Sequence, residues 1–296
     1  MMNHQYQTAA QVDRFDTILQ EVPKPYEQCI SYLLEKMPTM FPPVVFATNP
    51  IVLHLNQFST DALKYLIYDY AHFTTQALHM FFEARVRSYW PKLVEEIDRN
   101  LAEELGSKSH GISHLELLRL GHRLDLGLNV DGVSASALTR GFVEEMHSLF
   151  RCNDNAYLAG ILLAFEAVAL DEFRVVSKIL RRYAELTGRS WVTGSLTSLY
   201  VEGHVGPETG VQSDYEGEAG HYLGLRDAIK GEITVENISR FIQGFLALSL
   251  KMAIWWERLA VAARLVEIEG ILTPEPVEIP EIVQRVHRAA MAQTSS

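Results

Sequence analysis

Apolar positions recur at three- and four-residue intervals along nearly the whole chain, and alternating runs of strand type are absent. The spacing predicts a helix over 26–37, followed by the Pro-rich connector FPPVVFATNP. Ser59, Thr60 and Asp61 offer N-caps for a helix running toward Trp90. Pro91 opens the next helix and Gly106 closes it, while Ser113 caps another through His122. Further helices are expected over 135–150 and from Asn153 or Asp154 through Leu186 to Gly188. Ser213 and Glu216 form a capping box for a helix through Ile229. The last long helix runs from Thr234 to Glu269, and the tail from Pro274 adds a short one. Loops are expected to be short except between Gly188 and Ser213. The fold class is therefore all-α. Residues 1–40 form an N-terminal helical extension, 41–270 a single bundle, and 271–296 a tail with a short helix.

Composition narrows the partners. With 296 residues and 48% apolar content the chain can bury a sizeable core. A net charge of −11 disfavours nucleic acid and anionic membrane surfaces, because phosphate binding is driven by cations. Only Cys29 and Cys152 occur, so no disulfide framework is expected and a reducing cytoplasmic setting fits. The N-terminus lacks the apolar stretch of a signal peptide, and no apolar run approaches the ~20 residues of a bilayer span. A homodimer is compatible with the acidic surface.

Three segments carry candidate chemistry. AYLAGILLAFEAVAL, residues 156–170, is apolar on every helical face, and Glu166 is its one charge. Burying an unpaired carboxylate costs several kcal/mol, so it must be protonated, paired or bound to metal. The plainer reading is a helix-edge acid paired with one Arg. In NLAEELGSKSHGISHLELL, residues 100–118, Glu104 points with the apolar stripe of Ile97 and Leu101. Glu103 points with polar Glu96 and Asn100. Glu104 is therefore expected to face inward, and His114 opens the next helix beside it; their bland reading is a solvated acid and a core histidine. The third segment, residues 204–229, holds His204, Glu208, Asp214, Glu216, Glu218 and His221. Glu218 and His221 share one helical face, although an acidic loop leading into an amphipathic helix explains the same residues. Acids and histidines from successive helices are how bundles build dinuclear iron or manganese sites. His79 and Glu83 form a rival pair, and His72 and His122 are further unplaced histidines.

These segments resemble a known group. NLAEELGSKSHGISHLELLRLG is similar to the "EE-x-G … SH-x-x-LL" stretch of the heme-oxygenase-like diiron oxidases. Within them it is closest to the cyanobacterial-type proteins similar to the chlamydial protein associating with death domains. AGILLAFEAVAL resembles the central "A-x-E" helix of that group and EAGHYLGLR its last ligand helix; NPIVLHLNQ and WWERLA resemble flanking segments. The resemblance spans roughly 40–265 and implies a seven-helix bundle resembling heme oxygenase. It also implies two Fe2+ ions, O2 as co-substrate and oxidation of a small amino-acid-like or fatty-acid substrate in biosynthesis. By position it implies Glu104, His114 and Glu166 as metal ligands, followed by a histidine, an acid and a histidine. This chain departs from the usual H-x-x-x-D-x-x-H there, because Val211 stands where the second histidine falls if Glu208 is the acid. The preferred assignment is His204, Glu218 and His221, which keeps three ligands and the EAGHYLGLR match and requires a helix break near Gly206–Gly210. Two other classes share the resemblance: cofactorless enzymes like the thiaminases and quinone-cofactor synthases, and non-catalytic interaction proteins.

Overall fold

Side chains that suit a first turn stand where the helices begin. The computed structural model describes residues 17–109, 111–189, 191, 195–205 and 218–269. After a helical turn over 17–21 come α1 (Tyr26–Met40), α2 (Pro50–His54), α3 (Thr60–Arg87), α4 (Pro91–Glu104) and α5 (His114–Leu124). These are followed by α6 (Ala137–Phe150), α7 (Asn155–Leu186), α8 (Leu196–Val205), α9 (Glu218–Ile229) and α10 (Ile238–Glu269). Among the described residues there is no strand, as the sequence pattern predicts. Ser59 caps α3 through the Ala62 N–H, Ser113 caps α5 through Glu116, and Asp154 caps α7 through Ala156 and Tyr157.

Three expectations change. The connector after α1 is wound into two 3-10 turns, Pro42–Val44 and Phe46–Thr48, before α2. Helix α3 stops at Arg87 rather than near Trp90. The buried Asn155 side chain accepts the Tyr89 N–H at 2.9 Å and donates to the Arg87 carbonyl at 3.1 Å, replacing helix bonds at that corner. The long loop expected between Gly188 and Ser213 contains α8, which carries His204. The tail helix expected after Pro274 lies outside the described residues, as do residues 1–16.

Helix α7 is the axis of the bundle. Leu158, Ile161, Leu162, Leu163 and Ala164 are fully buried on its several faces, and full burial of each large side chain contributes roughly 1.5–3 kcal/mol. Its longest partner is α10, and the two helices cross at glycines. A Cβ on Gly160 would lie 2.0 Å from the Phe241 carbonyl oxygen, and one on Gly244 would lie 2.0 Å from that of Tyr157. Helices α3, α8 and α9 pack on the remaining sides of α7. The N-terminal helix joins the same core through Tyr26, Cys29, Ile30 and Leu33. Among the described residues no helix is long and apolar enough to cross a membrane.

Candidate metal centre

The last turn of α4 organises two clusters. Gly106, at φ 101°, ends the helix just after Glu104. The turn that follows packs so closely that a Cβ on Gly106 would lie 2.8 Å from the Ile112 backbone. This reversal returns the chain to Ser113, whose cap starts α5 with His114 beside the acid it left ten residues earlier.

The first cluster is Glu104, His114 and His204, each offering one ligand atom within 4.8 Å of the others. His114 Nδ1 lies 3.0 Å from Glu104 Oε1, and His204 Nε2 lies 3.9 Å from the same oxygen. His204 is oriented on all sides. Its Nδ1–H donates to the Tyr200 carbonyl at 2.5 Å, and its ring stacks on Phe173 at 3.9 Å between centroids. That bond turns Nε2 toward Glu104. Burial acts to raise the Glu104 carboxyl, but the adjacent His114 and His204 imidazoles outweigh it and hold it well below the usual carboxylate range. The residue is only partly enclosed, with its side chain 32% exposed.

The second cluster is Glu166 and His221. The Glu166 side chain is buried on α7, where Asn100 Nδ2 donates to Oε1 at 3.4 Å. His221 Nδ1 lies 3.8 Å from Glu166 Oε2, while its Nε2 lies 2.9 Å from Glu103 Oε2. Glu103 is bound in turn by Arg99 Nη1 at 2.5 Å and Lys108 Nζ at 2.9 Å. Burial would raise the Glu103 carboxyl, yet His221, Lys108 and Arg99 bring it down to about 2.

Asn100, Glu103 and Glu104 thus reach both clusters from one helical turn, which spans about 6 Å of axis. This corrects the expectation that Glu103 points to solvent, while Glu104 faces the first cluster as expected. Glu103 is the more buried of the two, at 6% exposure, and Asn100 is at 1%. The polar side of α4 is not a surface, because α9 docks on it and its charges are neutralised by Arg99.

The expected helix break after His204 falls on 206–217, outside the described residues, and so do Glu208, Asp214 and Glu216. Described helix stops at Val205 and resumes at Glu218. Glu218 opens α9, but its side chain is likewise outside the described residues. The rival pair is engaged elsewhere: Glu83 binds His147 at 2.9 Å and Arg151 at 2.7 Å.

Glu172 escaped the sequence reading. It is buried at 7% on α7 and accepts from the Tyr70 hydroxyl at 3.2 Å. Burial pushes the neighbouring Tyr200 phenol up, and the charges of Glu104 and Glu172 push it further, so the phenol lies near both acids. The signal available was a second acid on α7 beside Phe173, but DEFR reads as the start of the helix's polar half.

The donor set fits a first-row divalent metal. Each cluster joins a carboxylate to imidazole nitrogen, and the opposite nitrogens of His204 and His221 are held by a carbonyl and a carboxylate. That outer bond is what fixes the ligating nitrogen of a metal-bound histidine.

Comparison with known proteins agrees with the fold. The family described as "Domain of Unknown Function with solved-structure structure (DUF3865)" matches residues 28–262. The crystal structure of a CADD-like protein of unknown function from Nostoc punctiforme PCC 73102 superposes with a TM-score of 0.70 at 24% identity. It covers 83% of this chain and 98% of the other. A second crystal structure of that protein gives 0.71 at 24% identity, over 80% and 98%. No curated protein matches the sequence.

Proposed function

We propose, from the premise that the chain belongs to the DUF3865 family, that it is a dinuclear non-heme iron protein that uses O2 to oxidise a small molecule. The observation that carries this reading is the single turn of α4 that reaches two clusters of carboxylate and imidazole. The resemblance to the heme-oxygenase-like diiron oxidases adds iron, O2 and an amino-acid-like or fatty-acid substrate to that reading.

The residues divide the work. Glu104, His114 and His204 would hold one ion, and Glu166 with His221 the other; Glu218 stands on α9 three residues before His221 as a further candidate ligand. Two ferrous ions would supply electrons for the reduction of O2. The Tyr200 carbonyl and the Phe173 ring hold His204 in one orientation, so its ligating nitrogen needs no rearrangement. The apolar body of α7 around Glu166 keeps water from the buried acid. Glu104 is held ionised across the neutral pH range, ready to accept a cation.

The test is anaerobic loading with Fe(II), metal counting, and O2 uptake in the presence of amino acids and mid-chain fatty acids. Two irons per chain and substrate-stimulated O2 uptake are expected. Iron uptake with no O2 consumption and no altered panel member by mass spectrometry would favour a binding protein. No iron uptake, with turnover of a panel member, would favour a cofactorless enzyme.

A further inference from the structure

His221 has two nitrogens and a carboxylate facing each, so something must decide which nitrogen carries the proton. Glu103 is the stronger claimant. It lies at hydrogen-bond distance, 2.9 Å, whereas Glu166 is 3.8 Å away. Glu103 is also anchored from the other side by Arg99 and Lys108, both permanent donors that it can only accept from. An ionised, anchored carboxylate must receive an N–H, so it places the proton on Nε2. The Nδ1 lone pair then faces Glu166 across 3.8 Å, a gap that two ligand bonds of about 2.1 Å can span around one ion.

The anchor itself is built into the helix contact. Arg99 also binds Glu96 and reaches the Gly220 carbonyl at 3.4 Å, one residue before His221. The same side chains lie directly against α9 at Gly224, where a Cβ would lie 2.0 Å from Glu96 Oε1 and 2.9 Å from Arg99 Nη2 and would displace their ends. The same charge network therefore docks α9 and orients its histidine.

We infer that Glu103 is a positioning residue, held by Arg99 and Lys108, that fixes His221 with Nδ1 toward Glu166 and so governs binding of the second ion. The inference rests on the dinuclear reading above. It assigns Glu103 no contact with metal or substrate.

The experiment uses Co2+ as the probe on the full chain, with ions counted by equilibrium dialysis. The tautomer of His221 is read by 15N-histidine NMR on the zinc-loaded protein. Wild type should bind two ions with Nε2 protonated on His221. Glu103→Ala should keep one ion, bind the second tenfold or more weakly, and lose the Nε2–H signature. Glu103→Gln retains an acceptor oxygen and should hold the second ion within about threefold of wild type, with the tautomer unchanged. Should Glu103→Ala not fold, Glu103→Asp replaces it, since the shorter arm withdraws the acceptor and predicts the same weakening. Wild-type affinity and tautomer in the Ala or Asp variant would overturn the positioning role and leave the dinuclear site standing. Equal loss in the Gln variant would also overturn it, because charge and not orientation would then be the cause. A wild-type chain that binds no ion, or whose binding ignores His221→Ala, would overturn the dinuclear reading and this inference with it.

Discussion

Glu103 and Glu104 are neighbours in sequence with separate partners, and their protonation should be visible in acid. Each carboxyl is held below its ordinary value in the folded chain, so each stabilises the fold above the unfolded value near 4.5. That stabilisation is lost as pH falls through the folded value. For Glu103 the window is pH 4.5 to about 2. Urea unfolding at stepped pH should show Glu103→Gln with a shallower acid arm, by about one proton taken up on unfolding. His122 runs the other way in chemistry but the same way in sign. It is 1% exposed, neither ring nitrogen has a hydrogen-bond partner among the described residues, and burial lowers it to about 4. The unfolded imidazole charges near pH 6.5 while the folded one stays neutral, so stability falls from pH 6.5 to about 4. At pH 5 the difference is about 2 kcal/mol. His122→Leu should remove that loss, and its melting temperature should change less between pH 7 and pH 5 than that of wild type.

Elements owe their placement to a few close contacts. Gly106 occupies a left-handed conformation and touches the Ile112 backbone, so Gly106→Ala has both a strained φ and no space. It should lower stability by more than about 1 kcal/mol and weaken metal uptake at Glu104 and His114, as read by thermal melting and Co2+ titration. Gly160→Ala pushes α7 from α10 at a backbone crossing six residues, about 9 Å of axis, before Glu166. It should cost about 1–3 kcal/mol or more in urea unfolding, with two ions still bound by the folded fraction. Helix α8 shows why one element was missed. Its sequence, LTSLYVEGHV, lacks a clean apolar stripe and contains Gly203. Its start is secured from outside, where the Thr197 N–H donates to Asp125 Oδ2 at 2.7 Å beyond the end of α5. A helix begun by a distant acceptor leaves no mark in its own periodicity.

At the scale of the molecule, the candidate ligands come from α4, α5 and α8 for one ion and from α7 and α9 for the other, so bound ions would tie these helices together. Ligand binding to the folded state at one hundred times its Kd adds about 2.7 kcal/mol. For a chain of this size that is a rise in melting temperature of about 5 °C. Calorimetry with and without saturating Co2+ should show this gain in wild type. It should be much reduced in Glu104→Ala, which removes the acid shared by His114 and His204. An equal gain in both proteins would place any bound metal elsewhere.

Local rules determined much of this protein. Caps at Ser59, Ser113 and Asp154, breaks at Pro91 and Gly106, and 3.6-residue periodicity are interactions within a few residues of one another, and they specified most helix starts. The all-round apolar face of α7 likewise announced a central helix with a buried Glu166. What a polar face meets is a different matter, because charge on one helix is compatible with water or with a partner that neutralises it. Only the packing of α7, whose Glu166 accepts from Asn100, and of α9, whose His221 meets Glu103 and whose Gly220 carbonyl is held by Arg99, turned Asn100 and Glu103 from surface residues into buried ones. The burial of Glu172 beside Tyr70 and the stacking of His204 on Phe173 were decided the same way. They are contacts between residues 102 and 31 positions apart, respectively, and long-range packing chooses such neighbours after local pattern has already been satisfied.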